Sequence, residues 1–391
     1  MIICTKEKCT GCGVCVDVCE KQAIIMKPDR HGFFYPEIID DICINCSACQ
    51  RKCPALAEEK NDNYVRSIYA AWNKNKGVRK TSSSGGVFSV LVDHALCQSG
   101  VVAGAMWNEN YEVHHTIIDS KKDMFLLRGS KYLQSHTDSI YAKVKECLLA
   151  GKKVLFSGTP CQNHALKNYL GKNYDDLITV DVICHGVPSD RVFQRYLNER
   201  SENGKREIKQ IRFRHKKPYW DWCNVTIDYE NGQPYSVSTT EDSYFTLFNI
   251  GYSLRPSCSQ CKYASQTRIG DITLADFWGF LPKGFKMHRF LLGVSLVMIN
   301  TPKGESVFDQ ISQSLVFQKA SLEDALLSNK ALCAPFAVPH EKSIAFWNDF
   351  EAGMSIDQLR DKYAKNTIMK PSGFSLIYER LYKMYRWTLR K

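Results

Sequence analysis

Eight cysteines near the amino terminus fall into two quartets that share one spacing. Each quartet follows the pattern C-x2-C-x2-C-x3-C, which is typical of ligands to 4Fe-4S clusters. The quartets consist of Cys9, Cys12, Cys15 and Cys19, and of Cys43, Cys46, Cys49 and Cys53. A structural zinc site instead pairs C-x2-C units about fifteen to twenty residues apart. The spacing therefore favours clusters over zinc.

The fourth cysteine of such a quartet points away from the cube that the first three surround. The segment resembles the two-cluster ferredoxins, and the resemblance implies that the quartets exchange their last members. One cluster would then bind Cys9, Cys12, Cys15 and Cys53, and the other Cys43, Cys46, Cys49 and Cys19. Gly11 and Gly13 are expected to let backbone N–H groups approach the sulfides. Glu20 departs from the pattern, because these ferredoxins often carry proline there.

Charge and cysteine content indicate the cellular compartment of the protein and the kinds of partner it binds. The chain has 391 residues, 17 cysteines and a formal net charge of +11. Each cluster with four thiolates carries about −2 when oxidised, and the basic residues are spread along the chain, so we expect no nucleic-acid partner. Residues 1–6 reach a cysteine before an apolar signal segment forms. We therefore expect a cytoplasmic protein whose reduced thiols bind metal.

After the quartets, the sequence alternates predicted strands with predicted helices. Strand patterns occur at 65–72, 153–156 and 178–183, with helical patterns between them. The stretches 211–214, 225–229, 272–275 and 294–300 are predicted to extend the same sheet. We predict an α+β protein in which a small ferredoxin-like two-cluster module precedes a mixed α/β domain.

Four of the remaining cysteines lie in predicted loops. Cys161 and Cys184 each follow a predicted strand, and Cys258 and Cys261 form a C-x2-C pair. Open α/β folds bind their ligands at the carboxyl edge of the sheet, so these four thiols are candidates for a third 4Fe-4S cluster. Buried cysteines are also common in protein cores, and the spacing alone does not choose between the two interpretations.

Several short motifs occur in the order found in one known family. They are residues 82–86 (SSSGG), 128–135 (RGSKYLQS), 158–162 (GTPCQ), 184–189 (CHGVPS), 258–261 (CSQC) and 275–279 (ADFWG). Together they resemble the coenzyme F-420 (deazaflavin) hydrogenase/dehydrogenase beta-subunit family over about residues 65–300. The resemblance implies FAD and a 4Fe-4S cluster in the mixed domain. Three 4Fe-4S clusters are then expected in the chain.

The predicted organisation has four parts. Residues 1–58 form the ferredoxin-type domain, 65–150 the amino-terminal family region with flavin contacts, 151–320 the region of the third cluster and flavin site, and 321–391 a helical extension. Residues 374–391 within the extension show a basic amphipathic pattern. We expect this helix to pack on its own domain, with weak contact to a membrane surface as the alternative.

The family motifs also supply candidate flavin ligands. Ser83, Ser84, Gly85 and Gly86 open a predicted helix whose N–H groups suit the FAD pyrophosphate, although an ordinary serine cap explains the same pattern. The other candidate cofactor-binding residues are Lys131, Tyr132, Gln134, Ser135, Asp276 and Trp278. A solvated loop or core packing is the alternative for these residues. His185 is a candidate catalytic proton relay, or a histidine that satisfies backbone groups.

These features predict an iron–sulfur flavoprotein oxidoreductase. Electrons would pass between FAD and a ferredoxin-type redox protein or partner subunit, with hydride transfer to or from a small organic substrate, deazaflavin among the candidates. Clusters carry single electrons and a flavin accumulates two, so such chemistry needs both. The alternative is a non-catalytic electron-transfer subunit of a larger redox complex.

Overall fold

The computed structural model describes residues 2–57, 64–217, 219–280 and 292–365. These ranges contain a two-stranded, a three-stranded and a nine-stranded sheet. The predicted basic helix at 374–391 lies outside the described residues. No helix within these ranges is both long enough and apolar enough to cross a membrane.

Residues 2–57 form a small module around their cysteines. Its elements are α1 (Val14–Asp17), β1 (Ile24–Pro28), β2 (Phe34–Ile38) and α2 (Ala48–Arg51). The two strands pair as an antiparallel hairpin. Each helix starts after a residue in the left-handed conformation, Gly13 before α1 and Ser47 before α2. Such a residue reverses the chain sharply, so each cysteine loop curls back on itself.

The main domain is built on the nine-stranded sheet. The strands that follow the module are β3 (Ser67–Asn73), β4 (Val101–Trp107), β5 (Val113–Ile118), β6 (Ser135–His136), β7 (Val154–Gly158), β8 (Leu177–Val182), β9 (Ile208–His215), β10 (Asn224–Tyr229), β11 (Tyr235–Ser238), β12 (Ile272–Asp276), β13 (Ser295–Ile299) and β14 (Leu315–Lys319). The large sheet has the order β14-β3-β13-β12-β8-β7-β4-β5-β6. Its central strands β12, β8, β7 and β4 run parallel. The chain is thus an α+β protein with a mixed α/β domain, as predicted.

Helices cover both faces of the large sheet. The helices of the main domain are α3 (Lys76–Thr81), α4 (Val87–Cys97), α5 (Met124–Leu127), α6 (Ile140–Leu149), α7 (Pro160–Leu170), α8 (Asp190–Arg200), α9 (Ser243–Ile250), α10 (Pro302–Ile311), α11 (Leu322–Ser328), α12 (His340–Glu351) and α13 (Ile356–Tyr363). Leu155 of β7 packs with α4 and α10 on one face, and its neighbour Phe156 packs with α6 and α7 on the other. Cys12 and Val14 join the second core, which seats the module on that face.

The predicted strands at 272–275 and 294–300 correspond to β12 and β13 of the large sheet, but those at 211–214 and 225–229 do not extend that sheet, so the prediction was wrong for these two. They lie in β9 and β10, which pair with β11 as a separate antiparallel sheet. In β9 the buried Ile211 and Phe213 alternate with polar residues. This pattern suits a sheet with one face on a core and the other in water, not the doubly covered centre of a parallel sheet. The inner face packs against α8, α9, α12 and α13.

Candidate functional site

The cysteines of the module separate into two groups, and each group contains a member of the other quartet. In the first cysteine group, the thiols of Cys9, Cys15 and Cys53 lie within electrostatic reach of one another, and Cys12 joins them through Cys9 and Cys15. All four thiols are buried. This grouping has the pattern that the exchange of fourth cysteines requires.

The second cysteine group lies nearer the surface. Cys49 is within electrostatic reach of Cys46 and Cys19, and Cys43 Sγ lies 3.9 Å from Asn45 Oδ1 in the same loop. Cys46 is exposed, whereas Cys19 and Cys43 are half-buried. A protein that approaches the module therefore meets the second group before the first.

Cys161, Cys184, Cys258 and Cys261 form a third cysteine group at the carboxyl edge of the parallel strands. Cys161 lies in the first turn of α7 directly after β7, and Cys184 follows the neighbouring strand β8. Burial raises the pKa of Cys161 to about 11 and that of Cys258 to about 12, and the nearby thiols add to both rises. Burial likewise raises the pKa of Cys184. Such thiols lose their protons to solvent when they bind a metal cation as thiolates, and a set of four thiolates fits the irons of a cluster.

The chemistry of the donor atoms fits iron–sulfur clusters. Each of the three groups offers four thiolates, and the ligands of a 4Fe-4S cube each bind a different iron. The even C-x2-C-x2-C-x3-C spacing of the two quartets is that of cube ligands, whereas zinc sites pair separate C-x2-C units.

Arg255 is a buried cation between the first and third cysteine groups. Its side chain is 1% exposed, and its Nη1 and Nη2 atoms donate to Cys9 O at 3.4 Å and Phe34 O at 3.1 Å. A hydrogen bond with Cys4 and, to a lesser extent, the charge of Arg255 lower the pKa of Cys9. Arg255 also opposes the burial that raises the pKa of Cys161 and of Cys258. One positive charge thus acts on both groups.

Replacing Arg255 with methionine is expected to lower the midpoint potentials of two clusters together. A reduced cluster carries one more negative charge than an oxidised one, so a buried cation stabilises the reduced form. Potentiometric titration with EPR detection measures the shifts, and Arg255→Lys is the control that keeps the charge. A shift confined to one cluster, or equal shifts in the two variants, would contradict a shared role for this charge.

Side chains of the main domain donate hydrogen bonds to backbone carbonyls of the first cysteine loop. Tyr141 OH donates to Cys12 O at 2.7 Å, and Gln134 Nε2 donates to Gly11 O at 3.4 Å. A Cβ atom on Gly11, whose φ is +66°, would lie 2.7 Å from Arg255 Nη2. Gly11 therefore makes room for the main domain, and the amide nitrogen of Gln134, a predicted flavin ligand, contacts the module.

A further site, the serine-turn site, surrounds residues 82–86 ahead of α4. Gly86 has a φ of +83°, and no side chain caps the helix that starts after it. The serines make other contacts: Ser83 Oγ accepts from Ser130 N at 2.7 Å, and Ser84 Oγ donates to Val294 O at 2.9 Å. The serine-cap interpretation is therefore wrong, and the first N–H groups of α4 keep the polarity that favours an anion.

Basic side chains surround the serine turn. They are Arg79, Arg128, Arg214 and Lys216. Lys216 Nζ donates to Arg79 O at 2.7 Å and to Ser84 O at 2.6 Å. Arg214 Nη2 lies 3.3 Å from Asp276 Oδ2, and the buried Nε atom of Arg214 has no hydrogen-bond partner within the described residues. The surplus of positive charge and the unpartnered donor fit the pyrophosphate of FAD.

Asp276 and Trp278 belong to the serine-turn site. Trp220 Nε1 donates to Asp276 Oδ1 at 3.2 Å, and the rings of Trp220 and Trp278 stack 4.5 Å apart. The guanidinium of Arg214 lies over the Trp278 ring at 4.7 Å. Arg214 thus contacts both Asp276 and Trp278. Lys216, two residues further along the chain, bonds Ser84 of the serine turn.

Lys131, Tyr132 and Ser135 are held by protein groups. Lys131 Nζ donates to Gly129 O at 3.2 Å, close to Ser130 and the serine turn. The Tyr132 ring lies among Phe213, Phe245 and Phe248, and burial raises the pKa of Tyr132 to about 12. Ser135 Oγ lies 2.7 Å from His115 Nδ1, away from the serine turn.

His185 lies in an aromatic pocket beside the third cysteine group. Its ring packs against Phe248 at 4.9 Å and Phe336 at 4.4 Å, and burial lowers its pKa. Its buried Nε2 atom has no hydrogen-bond partner over the ranges described. Phe248 also touches Tyr132, so one aromatic ring separates His185 from the segment 128–135.

The cations of the serine-turn site and Arg255 were not among the residues predicted from the sequence. A signal was present for some of them, because Arg79 and Lys80 directly precede the serine run and residues 212–217 are rich in basic side chains. No spacing rule connects these two segments, which are over a hundred residues apart. Arg255 precedes the C-x2-C pair by only three residues, but nothing in the sequence shows that it is buried.

The fold and the cysteine groups define a class: a redox protein in which a ferredoxin-type 4Fe-4S module is joined to a mixed α/β domain. Family models match three stretches of the chain. They describe a 4Fe-4S dicluster domain at 8–57, and the N-terminal and C-terminal parts of the coenzyme F420 hydrogenase/dehydrogenase beta subunit at 68–141 and 151–325. The chain belongs to the coenzyme F420 hydrogenase/dehydrogenase beta-subunit family. Electron transfer through an iron–sulfur domain follows from that membership.

Similar proteins cover the two parts of the chain separately. The uncharacterized ferredoxin MJ0722 of Methanocaldococcus jannaschii is 43% identical over 56 residues, 14% of this chain and 71% of that protein. Ferredoxin-type protein NapF of Escherichia coli K12 is 35% identical over 54 residues, 14% of this chain and 33% of NapF. The uncharacterized protein MJ1349 of Methanocaldococcus jannaschii is 26% identical over 203 residues, 43% of this chain and 54% of its own. The chain thus spans about a third of NapF and about half of MJ1349.

One solved structure also aligns with the chain. It belongs to the F420-reducing [NiFe] hydrogenase complex from Methanosarcina barkeri, studied with xenon. The alignment covers 79% of this chain and 100% of that one, with 18% identity and a TM-score of 0.47.

Proposed function

We propose that the chain is an iron–sulfur flavoprotein oxidoreductase with three 4Fe-4S clusters and one FAD. It would move electrons between a ferredoxin-type redox partner and an organic substrate that gains or loses a hydride. The observation that carries this proposal is the linear order of the sites. The second cysteine group lies nearest the surface, the first lies behind it, and the third and the serine-turn site follow.

Two contacts support the junction between the module and the main domain. Cys12 of the first group lies within electrostatic reach of Cys161 of the third. The buried Tyr263 lies within reach of both groups, since the charges of Cys161, Cys12, Cys261 and Cys53 all contribute to its raised pKa after burial. The two groups are therefore neighbours across the domain boundary.

The third group and the serine-turn site share one edge of the sheet. Cys184 follows β8, and Asp276 ends the adjacent parallel strand β12. Residues at the carboxyl ends of adjacent parallel strands lie side by side. A flavin held at Asp276 and the serine turn would thus border the third cluster.

The chain's own groups have distinct roles in this proposal. The thiolates hold clusters that carry one electron each, and the bound FAD accumulates the two electrons of a hydride. The N–H groups of α4 and the unpartnered Nε atom of Arg214 would hold the pyrophosphate, and Asp276 tethers Arg214. His185, whose Nε2 is unpartnered within the residues described, holds or moves the accompanying proton.

Anaerobic purification tests the cofactor content directly. We expect about twelve irons, about twelve sulfides and about one FAD per chain, because each cube holds four irons. Eight irons without flavin would remove both the third cluster and the flavoenzyme from the proposal. Zinc in place of iron would remove the electron path altogether.

The second candidate function is a non-catalytic electron-transfer subunit. One feature of the module favours this second function. The module is small, and it exposes the apolar residues Ile2, Ile44 and Leu56. An assay of the isolated chain separates the two functions. Reoxidation of the reduced flavin by an added small molecule, deazaflavin included, supports the enzyme, whereas turnover only with a second polypeptide supports the subunit.

A further inference from the structure

A cavity of about 740 Å³ lies between the module and the main domain. We name it the interdomain cleft. Its charged lining residues are Arg51, Lys52, Lys167, Lys172 and Lys262. Within the described residues, no carboxylate lines it. Its surplus of positive charge is therefore local, whereas the basic residues of the chain are spread widely.

Only part of this charge has a structural role. Lys167 Nζ donates to Ile269 O, and Lys262 Nζ donates to Ala57 O at 3.0 Å, so these two lysines join the walls of the cleft. The carboxyl ends of α2 and α7 lie nearby and make cations locally favourable. Lys52 and Lys172 contact no carboxylate in the described ranges, and Lys172 is exposed. Lys52 is half-buried, and Lys172 Nζ lies 4.9 Å from the centre of the Tyr174 ring, so neither charge at the cleft is neutralised by a carboxylate within the described residues.

The interdomain cleft borders the second cysteine group. Arg51 Nη1 donates to Cys46 O at 2.8 Å, and Cys46 is the exposed member of that group. Ile44, two residues before it, is 62% exposed. Arg51 thus connects the cleft to the loop that carries Cys46 and Ile44. An exposed apolar residue beside a charged surface is the usual composition of a protein–protein interface.

We propose that the interdomain cleft is the docking surface for an acidic one-electron carrier protein. This inference rests on the proposed function and identifies the surface at which electrons enter the protein. In each encounter the reduced carrier would lose one electron to a cluster held by the second cysteine group. Two encounters supply the two electrons that leave with one proton as a hydride. The charge complementarity steers the encounter, and such transient redox complexes bury small interfaces.

Charge reversal at Lys52 and Lys172 tests the docking surface. The double variant Lys52→Glu and Lys172→Glu is mixed with a reduced, small, acidic two-cluster ferredoxin in an anaerobic stopped-flow instrument. We expect the second-order rate constant of cluster reduction to fall about tenfold or more at low ionic strength. The wild-type rate should decrease steeply with added salt, and the variant rate should hardly change.

A matched variant controls for the change in net charge. Lys122→Glu with Lys205→Glu reverses two exposed lysines away from the cleft and changes the net charge equally. It should keep the wild-type rate constant and salt dependence. An equal loss of rate in both double variants, or no loss in either, overturns the docking surface.

A second reductant separates this inference from the proposed function. Reduced methyl viologen is a small cation that needs no docking surface, so it should reduce clusters and flavin equally fast in the wild type and both variants. Failure of that reaction in the wild type contradicts the proposed function. Stoichiometric binding of tripolyphosphate that needs Lys52 and Lys172, with an unchanged ferredoxin rate, makes the cleft a small-anion site and overturns the docking proposal.

Discussion

Replacing Cys258 and Cys261 with serine is expected to remove about four irons per chain, from about twelve to about eight. Both residues lie in the third cysteine group, and two remaining thiolates do not retain a cube against loss to solvent. Flavin reduction by reduced methyl viologen through the clusters should slow by about two orders of magnitude or more, because the path from the module is broken. Iron and sulfide analysis with stopped-flow spectroscopy measures both effects.

Two other cysteines provide the control for this variant. Cys147 on α6 and Cys333 lie outside the three groups, so Cys147→Ser with Cys333→Ser should retain all the iron and the rate of flavin reduction. Unchanged iron in the Cys258 and Cys261 variant would show that these thiols hold no cluster. Retention of the module's eight irons in that variant shows that the loss is local.

Asp181→Asn is expected to lower the free energy of unfolding by about 3–5 kcal/mol, the range measured when one partner of a buried ion pair is removed. Asp181 and Arg268 are 0% and 1% exposed, and their charged groups are 3.2 Å apart. Asp181 also accepts from Gly270 N at 3.0 Å, and Arg268 donates to Tyr263 O at 3.0 Å. The ion pair of Asp181 and Arg268 thus joins the loop after Cys261 to β8. Asp181 lies three residues before Cys184 of the third cysteine group.

Anaerobic urea unfolding of the whole chain, followed by circular dichroism, measures this loss. The control is Glu305→Gln, which breaks the exposed pair with Arg66, where the side chains are 43% and 46% exposed. That change should cost less than about 1 kcal/mol because water screens the pair. A similar small cost for Asp181→Asn would mean that Arg268 finds another partner or water. Loss of the third cluster together with the large cost would show that the pair positions Cys184.

Local patterns predicted three strands of the large sheet well. The strands predicted at 65–72, 153–156 and 178–183 correspond to β3, β7 and β8, with boundaries that differ by one to two residues. Their apolar runs are the direct result of burial on both faces. The same patterns did not assign β9 and β10 to their sheet, because a strand's pattern reports which faces are buried and not which strand it pairs with.

Some residues of the candidate site were identifiable from the sequence, and others only from the fold. Spacing alone identified the two quartets, because a 4Fe-4S cube fixes the distances between its ligands on one short loop. The third group needed the fold, since β7, β8 and the C-x2-C pair meet only when the sheet is assembled. Residues 82–86 precede a helix as predicted, but the cations around them come from separate segments of the chain.

The sequence by itself determined the kinds of donor atoms, the two cysteine loops and the alternation of strands and helices. These are local properties, set by residues within a few positions of one another. Only the tertiary structure decided that Arg255 lies buried between two cysteine groups, that Gln134 faces the module and that five cations line one cleft. The physical reason is that burial and charge depend on which distant segments pack together, and the large sheet and the module decide that packing.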